Sequence, residues 1–409
     1  MPETLPFSNG MKIKNLSVQQ IFDSRGEPTI EVGVLDGKNR WFFAQVPSGK
    51  SRGKNEAKVL NFRNAERVLK KQVKKAIIEK NYNSIRALDN SLLRLDPTKN
   101  KSRIGGNLTL GISVAFSRML AAEKRKEIWQ ILRSEFFSNA KSLNKKPLIF
   151  SNLINGGLHA NNNLNIQEYM VMARSAPSVA AAVKKLIDFY HNLGIFLKKE
   201  RVARNIPIGD EGGYAINFKN NFEPIAILEK LIYKYRLQKK FLIGLDAAAT
   251  NFYKGKKYLF DRKRFSAEHL ADEYVRYFKN SKLLFSIEDP FAENDLKGFS
   301  LLRKKLPKAL IIGDDLTTTN PAEIKRNASQ NLINAVIIKP NQIGTVSETC
   351  EAIKIAKKYD LKTIISHRSG ETEDNFIIHL ARASSAYGVK IGAPARERLL
   401  KFDELTRIY

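Results

Sequence analysis

The hydrophobic rhythm of the chain changes once, and the change divides it in two. Apolar and polar positions alternate over Ser17–Phe22 and again over Thr29–Val34. A third run, Trp41–Val46, is apolar and aromatic. These are strand patterns, and Asp23-Ser24-Arg25-Gly26 supplies the turn between the first two. A loop of small residues follows, Pro47-Ser48-Gly49-Lys50-Ser51-Arg52-Gly53. From Glu56 the period becomes helical. Leu69, Val73, Ala76 and Ile77 share one face, and Arg63, Arg67, Lys70, Lys71, Lys74 and Lys75 fill the other. A second helix is predicted from about Leu108 to Leu132. Strands followed by helices make residues 1–140 an α+β unit.

Past the basic stretch Lys141–Lys146, short apolar runs recur, most of them closed by a functional side chain. Leu148–Ile154 precedes Asn155-Gly156-Gly157-Leu158-His159, and Leu164–Met172 contains Gln167 and Glu168. Ile206–Gly209 ends at Asp210-Glu211, Phe241–Leu245 at Asp246, and Leu283–Ile287 at Glu288. Leu310–Gly313 ends at Asp314, Ala335–Ile338 at Lys339, Thr363–Ser366 at His367, and Tyr387–Val389 at Lys390. From Asp246 to Lys390 these closing residues are spaced 42, 26, 25, 28 and 23 apart, with amphipathic stretches such as Pro224–Tyr235, Glu268–Lys279 and Val346–Lys358 between most runs. Spacings near 25 suit a strand and a returning helix. Residues 141–409 therefore read as a TIM-type (β/α)8 barrel with its site at the strand C-termini. An open doubly wound sheet would gather ligands at one crevice and would not need a reactive group after nearly every strand.

A chain of 409 residues, 43% hydrophobic, can bury a sizeable core. No run approaches the length of a membrane span, and Met1–Gly10 lacks the basic start and apolar stretch of a secretory signal. The single cysteine, Cys350, excludes an internal disulfide framework and a thiolate metal cluster, which fits a reducing cytoplasm. The net charge of +29 changes the picture, because it raises polyanions as partners. The excess is densest in residues 1–140, with 26 basic and 13 acidic side chains. The basic face from Arg63 to Lys75 has no interleaved aromatics for base stacking, so a solvated helix face is favoured over a nucleic-acid surface.

Asp246, Glu288 and Asp314 each close a separate run, and in a barrel they would face one axis. Three carboxylates without a thiol form an oxygen-donor site for a hard cation such as Mg²⁺. Any one of them could instead cap the following helix. Lys339 and Lys390 beside such a cation would have depressed pKa values, and a neutral lysine can act as a general base. Solvated lysines are the alternative. Glu168 and Glu211 form a possible acid pair, one of them kept protonated by the other's charge. Ordinary strand-end acids explain them equally well. Arg368 and Ser369 offer a guanidinium fork and a hydroxyl suited to a phosphate.

The ordered set of motifs resembles enolase, the phosphopyruvate hydratase family. The resemblance runs from Ile21 to about Ile408. It is carried by Phe22-Asp23-Ser24-Arg25-Gly26, Val46-Pro47-Ser48-Gly49, Asn155-Gly156-Gly157, Gln167-Glu168 and Gly209-Asp210-Glu211-Gly212-Gly213. It continues through Ser286-Ile287-Glu288-Asp289-Pro290-Phe291, Gly313-Asp314-Asp315-Leu316, Asn341-Gln342-Ile343-Gly344, Ser366-His367-Arg368-Ser369-Gly370 and Lys390 with Gly392-Ala393-Pro394. It implies an N-terminal capping domain on a modified barrel whose early elements depart from strict alternation. It implies reversible, Mg²⁺-dependent dehydration of 2-phosphoglycerate to phosphoenolpyruvate, with two ions per site.

Carried over by motif, Asp246, Glu288 and Asp314 hold the first ion, and Ser51, in a closing lid, helps hold the second. Lys339 removes the α-proton. Glu211 protonates the leaving hydroxyl beside Glu168, and His159 and His367 complete the catalytic set. Gln167 and Lys390 contact the substrate carboxylate region, while Arg368 and Ser369 hold the phosphate. A cytoplasmic homodimer or higher homo-oligomer is also implied. Departures from the family pattern are Arg52 in the lid, Asn251 for a Glu, Leu158, Asn161 and Asn165 in the His159 loop, and His379 for an Asp. A serine is missing between Arg396 and Glu397. A dehydratase or racemase of the wider superfamily would share the three carboxylates without needing the Ser51 lid, the His159 loop and the Glu168–Glu211 pair together. A binding protein on the same scaffold would draw on the Arg63–Lys75 face.

Overall fold

The computed structural model describes residues 10–50, 53–139, 146–174, 177–201 and 205–409. The boundary expected between 140 and 141 lies outside them, as do Ser51 and Arg52.

Three long strands, β1 (Met11–Phe22), β2 (Pro28–Asp36) and β3 (Trp41–Val46), and a short β4 (Asn81–Tyr82) form a sheet in the order β3-β2-β1-β4. The β1–β2 turn closes because the Asp23 side chain accepts the amides of Arg25 and Glu27 at 2.8 and 3.1 Å, while Gly26 takes a φ of 77°. Ile30, Val32, Val34, Ala44 and Val46 form the inner face. The helix Gly106–Glu123 lies across it and is apolar almost all round, as a helix covered on every side must be. It can approach closely because Gly111 sits on the sheet: a Cβ there would come within 2.4 Å of Val32 Cγ2.

The predicted helices are modified where the chain must bend. The helix expected from Glu56 begins at Phe62, capped by the Asn61 side chain. Residues ahead of it are turn and irregular chain, where Ala57 donates its amide to the Gln342 carbonyl of the barrel at 2.8 Å. It then runs through a π turn, Leu69–Val73, to Ile77. Leu69, Val73 and Ile77 are buried, and Arg63, Arg67, Lys70, Lys71 and Lys75 are exposed as expected. The second predicted helix is two, Gly106–Glu123 and Ile128–Phe136. Arg125 adopts a φ of 49° between them, and a capping box of Glu127 with Gln130 starts the second.

Eight strands close a barrel: β5 (Leu148–Asn155), β6 (Glu168–Ala173), β7 (Phe241–Asp246), β11 (Leu284–Glu288), β12 (Leu310–Gly313), β13 (Ala335–Ile338), β14 (Lys362–Ser366) and β15 (Gly388–Ile391). A small antiparallel sheet of β8 (Tyr253–Lys254), β9 (Lys257–Phe260) and β10 (Lys263–Phe265) interrupts the path from β7 to β11. The strict parallel alternation read from the sequence holds from β11 onward, and β7 pairs with β11 in parallel. β6 runs antiparallel to both β5 and β7. The connection between β5 and β6 has only a three-residue helix, Gly157–His159, and no helix long enough to return the chain along the barrel, so β6 starts where β5 stops. The run Ile206–Gly209 is not a barrel strand; it makes only an isolated bridge, Ile208 to Tyr214, inside a loop. Alternate residues, including Phe150, Met170, Met172, Ile312, Ile337 and Ile364, fill the barrel interior, and their neighbours along the strands face the covering helices.

The capping unit grips the barrel at the start of the helix Val346–Lys358. Lys101 pairs with Glu348 at 2.7 Å, Ser113 Oγ accepts the Val346 amide, and Asp89 Oδ2 accepts the Ser347 amide at 2.8 Å. Burial pushes the Asp89 carboxyl up to about 6, against the pull of hydrogen bonds from Ser113 and Ser347. A carboxyl whose folded pKa exceeds its unfolded value contributes fully only when protonated. Its contribution fades as pH rises from about 4 to about 6. Asp89→Asn is expected to raise the free energy of chemical unfolding at pH 7.5 by about 1–2 kcal/mol and to change it little at pH 4.5. Equal effects at both pH values would contradict this account.

Candidate active site

The barrel topology brings the charged side chains to one end. In the strand register Glu168 lies opposite both Asn155 and Asp246, and Asp246 lies opposite Glu288. Reversal of β6 is what allows Glu168, at the start of its strand, to join residues at the ends of the others. Lys390, on β15, reaches across the axis. Its Nζ lies 3.0 Å from Asp246 Oδ2, 2.8 Å from Glu288 Oε2 and 3.0 Å from Glu168 Oε2. Lys339, just past β13, pairs with Asp314 Oδ2. Gln342 Nε2 donates to the other Asp314 oxygen at 3.1 Å.

Glu211 arrives from the loop after Ile208. Asn152 Nδ2 donates to its Oε2 at 3.0 Å, His367 Nε2 stands 3.5 Å from that oxygen, and His159 Nδ1 is 3.6 Å from Oε1. His159 Nδ1 is also 3.8 Å from Glu168. Arg368 and Ser369 follow β14, and the Lys50 amide donates to Ser369 Oγ at 3.0 Å. Asn251 Nδ2 reaches Gln167 Oε1 at 3.4 Å. His159, Gln167, Glu168, Glu211, Asp246, Asp314, Lys339, His367, Arg368, Ser369 and Lys390 thus line one cavity, with Glu288 directly beneath Lys390. Ser51 lies outside the described residues.

Burial and like charge set the titration of this cluster. Burial and the neighbouring Asp246 carboxylate push Glu288 well up. Burial and the charge of Glu211 do the same to Glu168, with Lys390 offsetting only part. Burial also acts on Glu211, but His367, His159 and Lys390 outweigh it and hold that carboxyl well below the usual range. Both imidazoles are lowered by burial, against the pull of Glu211. Burial and charge thus shift the two carboxyls in opposite directions, Glu168 up and Glu211 down. The depression of the two lysine amines is expected beside a bound cation; among the protein's own groups the balance runs the other way. Burial lowers each, but Asp314 raises Lys339, and Asp246, Glu168 and Glu288 raise Lys390 well above the usual value. The physical reason is that the carboxylates expected to neutralise a cation face the amines directly.

The donor set fits a hard divalent ion. Asp246, Glu288 and Asp314 offer only oxygen, are buried, and lie at the ends of adjoining strands, but they are not drawn into one close group. Oxygens of Asp289, Asp314 and Asp315 approach within 4.8 Å of one another. Asp289 is committed elsewhere, since it accepts the Asp314 and Asp315 amides at 3.0 and 2.7 Å. Burial and Asp314 push the Asp315 carboxyl to about 7.

Sequence reasoning assigned no role to Asn152 or Glu56. Asn152 had a signal, a polar residue inside the apolar run of β5. Glu56 had none, since it lies between basic residues in a loop of the other domain.

A barrel that gathers carboxylates, two lysines and an arginine at its C-terminal end defines a lyase-type centre, able to move a proton beside an anionic group. Residues 144–409 match the family model described as "Enolase, C-terminal TIM barrel domain", and residues 13–132 match "Enolase, N-terminal domain". The chain is 40% identical to the enolase of Ehrlichia ruminantium (strain Gardel), covering 97% of this chain and 96% of that protein. It is 41% identical to that of Ehrlichia canis (strain Jake), over 98% and 96%. Identity to the enolase of Ureaplasma parvum serovar 3 (strain ATCC 27815 / 27 / NCTC 11736) is 38%, over 97% and 96%. The chain belongs to the enolase family.

Removing the Lys390 amine would leave three buried carboxylates facing one another. Lys390→Ala in chelator is expected to lose about 3 kcal/mol of unfolding free energy, measured by denaturant titration. An unchanged midpoint would show that the cluster is held by something other than this ammonium.

Proposed function

We propose that the chain is a working enolase that dehydrates 2-phosphoglycerate reversibly to phosphoenolpyruvate. The observation that carries this reading is the convergence on one cavity of an amine, Lys339, a proton-sharing carboxyl pair, Glu168 and Glu211, and a phosphate-suited fork, Arg368 with Ser369. Lys339 takes the proton from the substrate α-carbon. The Glu168–Glu211 pair delivers a proton to the departing hydroxyl, with Glu211 kept in line by Asn152 and His367. Gln167 and Lys390 orient the substrate carboxylate, and His159 closes the side next to the acid pair. Arg368 and Ser369 anchor the phosphate.

Mg²⁺ bound by Asp246, Glu288 and Asp314, with a second ion near Ser51, would supply the positive charge that stabilises the growing negative charge on the substrate carboxylate and would free the lysine amines from their carboxylates. The all-oxygen donor set supports magnesium. Burial of every donor supports a site that excludes water.

The capping and barrel units divide near residue 140, and the family resemblance supports a cytoplasmic homodimer. Among the described residues no helix is long and apolar enough to cross a membrane.

Lys339→Ala is expected to lower kcat at least about a thousandfold in a coupled assay on 2-phosphoglycerate, with its circular dichroism unchanged. Retained turnover would remove Lys339 as the base. Chelator is expected to stop turnover, and added Mg²⁺ to restore it; a chelator-resistant rate would argue against the metal assignment.

A further inference from the structure

Arg368 is a buried cation on the barrel, and its counterion belongs to the other domain. Glu56 Oε2 accepts from Arg368 Nη1 at 3.2 Å, and Oε1 accepts from Nη2 at 3.3 Å. The pair is almost fully removed from solvent, with side chains 6% and 4% exposed. Asn341 Oδ1 accepts from the same Nη1 at 2.8 Å. Glu56 Oε1 also accepts from Gln342 Nε2 at 3.3 Å and from the Gly53 amide at 3.1 Å. The Ala57–Gln342 backbone bond fixes the Glu56 segment against the barrel. Glu56 thus meets a bidentate guanidinium, and this geometry fixes the plane of the fork as well as its position.

The position matters because Arg368 has other anions within reach of its field. Glu56, Asp314 and Asp315 all draw on its charge. Asp314 and Asp315 thus compete with Glu56 for the buried guanidinium.

We infer that Glu56 is a positioning residue which, from the N-terminal domain, holds the Arg368 fork facing the substrate phosphate and away from Asp314 and Asp315. The inference rests on the reading of Arg368 as the phosphate ligand given above. Two effects of Glu56 oppose each other. As a bare negative charge it repels a phosphate, so its removal would tighten binding. As a positioner its removal weakens binding. The sign of the change in KM separates the two.

The test is steady-state turnover of 2-phosphoglycerate at saturating Mg²⁺ by the full chain, Glu56→Gln, Glu56→Asp, Arg368→Lys and the double variant Glu56→Gln/Arg368→Lys. Inorganic phosphate serves as a competing anion. Glu56→Gln is expected to raise KM about tenfold, with kcat changed less, and to weaken phosphate competition by a similar factor. Glu56→Asp keeps the charge and is expected to recover part of the loss. The double variant is expected to match Arg368→Lys alone, because Glu56 acts through Arg368. A KM that is unchanged or lowered in Glu56→Gln, or effects that multiply in the double variant, would overturn the inference. Should Glu56→Gln lose its circular dichroism, Glu56→Asp decides: a KM equal to that of the unaltered protein overturns it as well. Absence of turnover in the unaltered protein would instead defeat the enolase reading.

Discussion

A single ammonium group, that of Lys390, sits among three carboxylates at the closed end of a barrel, and much of the molecule follows from that arrangement. Charges of one sign repel strongly in a medium poorer in water, so Asp246, Glu288 and Glu168 come together only with a proton or a cation among them. The amine meets this need at distances of 2.8–3.0 Å. In the proposed reading the same repulsion would favour a divalent ion held by Asp246, Glu288 and Asp314, since a doubly charged cation relieves it better than one ammonium. Structural stability and chemistry therefore draw on the same unfavourable concentration of charge.

The remaining architecture delivers these groups without exposing them. The apolar layer of Phe150, Met170, Ile312 and Ile337 forms the floor under them. The capping domain supplies the roof through contacts that are polar and specific. Arg118 forks onto Asp374, Ser48 exchanges backbone hydrogen bonds with Gly370, and Glu56 meets Arg368. Behind the phosphate loop the fully buried Arg398 donates to the Ser369 carbonyl at 2.9 Å, although the segment before it is one serine shorter than the family pattern. An acidic pocket inside a protein of net charge +29 is surrounded by positive potential at longer range. Such a field favours the approach of anionic substrates of any identity.

The departures from the family pattern are absorbed locally. Asn251, in place of a glutamate, donates to Gln167 instead of adding another carboxylate to a crowded site. His379, in place of an aspartate, pairs with Glu404 at 2.9 Å, which in turn pairs with Arg407. Asn165 joins Asn221 and the Asp261 amide in a hydrogen-bonded set that ties the His159 loop to the small β8–β10 sheet.

Residue order by itself determined the alternation of strand and helix from Phe241 onward, the identity of nearly every side chain in the cavity, and the family. It could do so because burial on both faces of a barrel strand demands an unbroken apolar run, which makes a polar terminus conspicuous, as at Asp246, Glu288 and Lys339. Only the tertiary structure decided that β6 runs backwards, that Ile206–Gly209 is a loop, and that Glu168 and Glu211 are shifted in opposite directions. It alone also assigned Arg368 its counterion from the other domain. Strand direction, protonation and partner choice depend on which groups become neighbours through space, and periodicity along a chain carries no record of that distance.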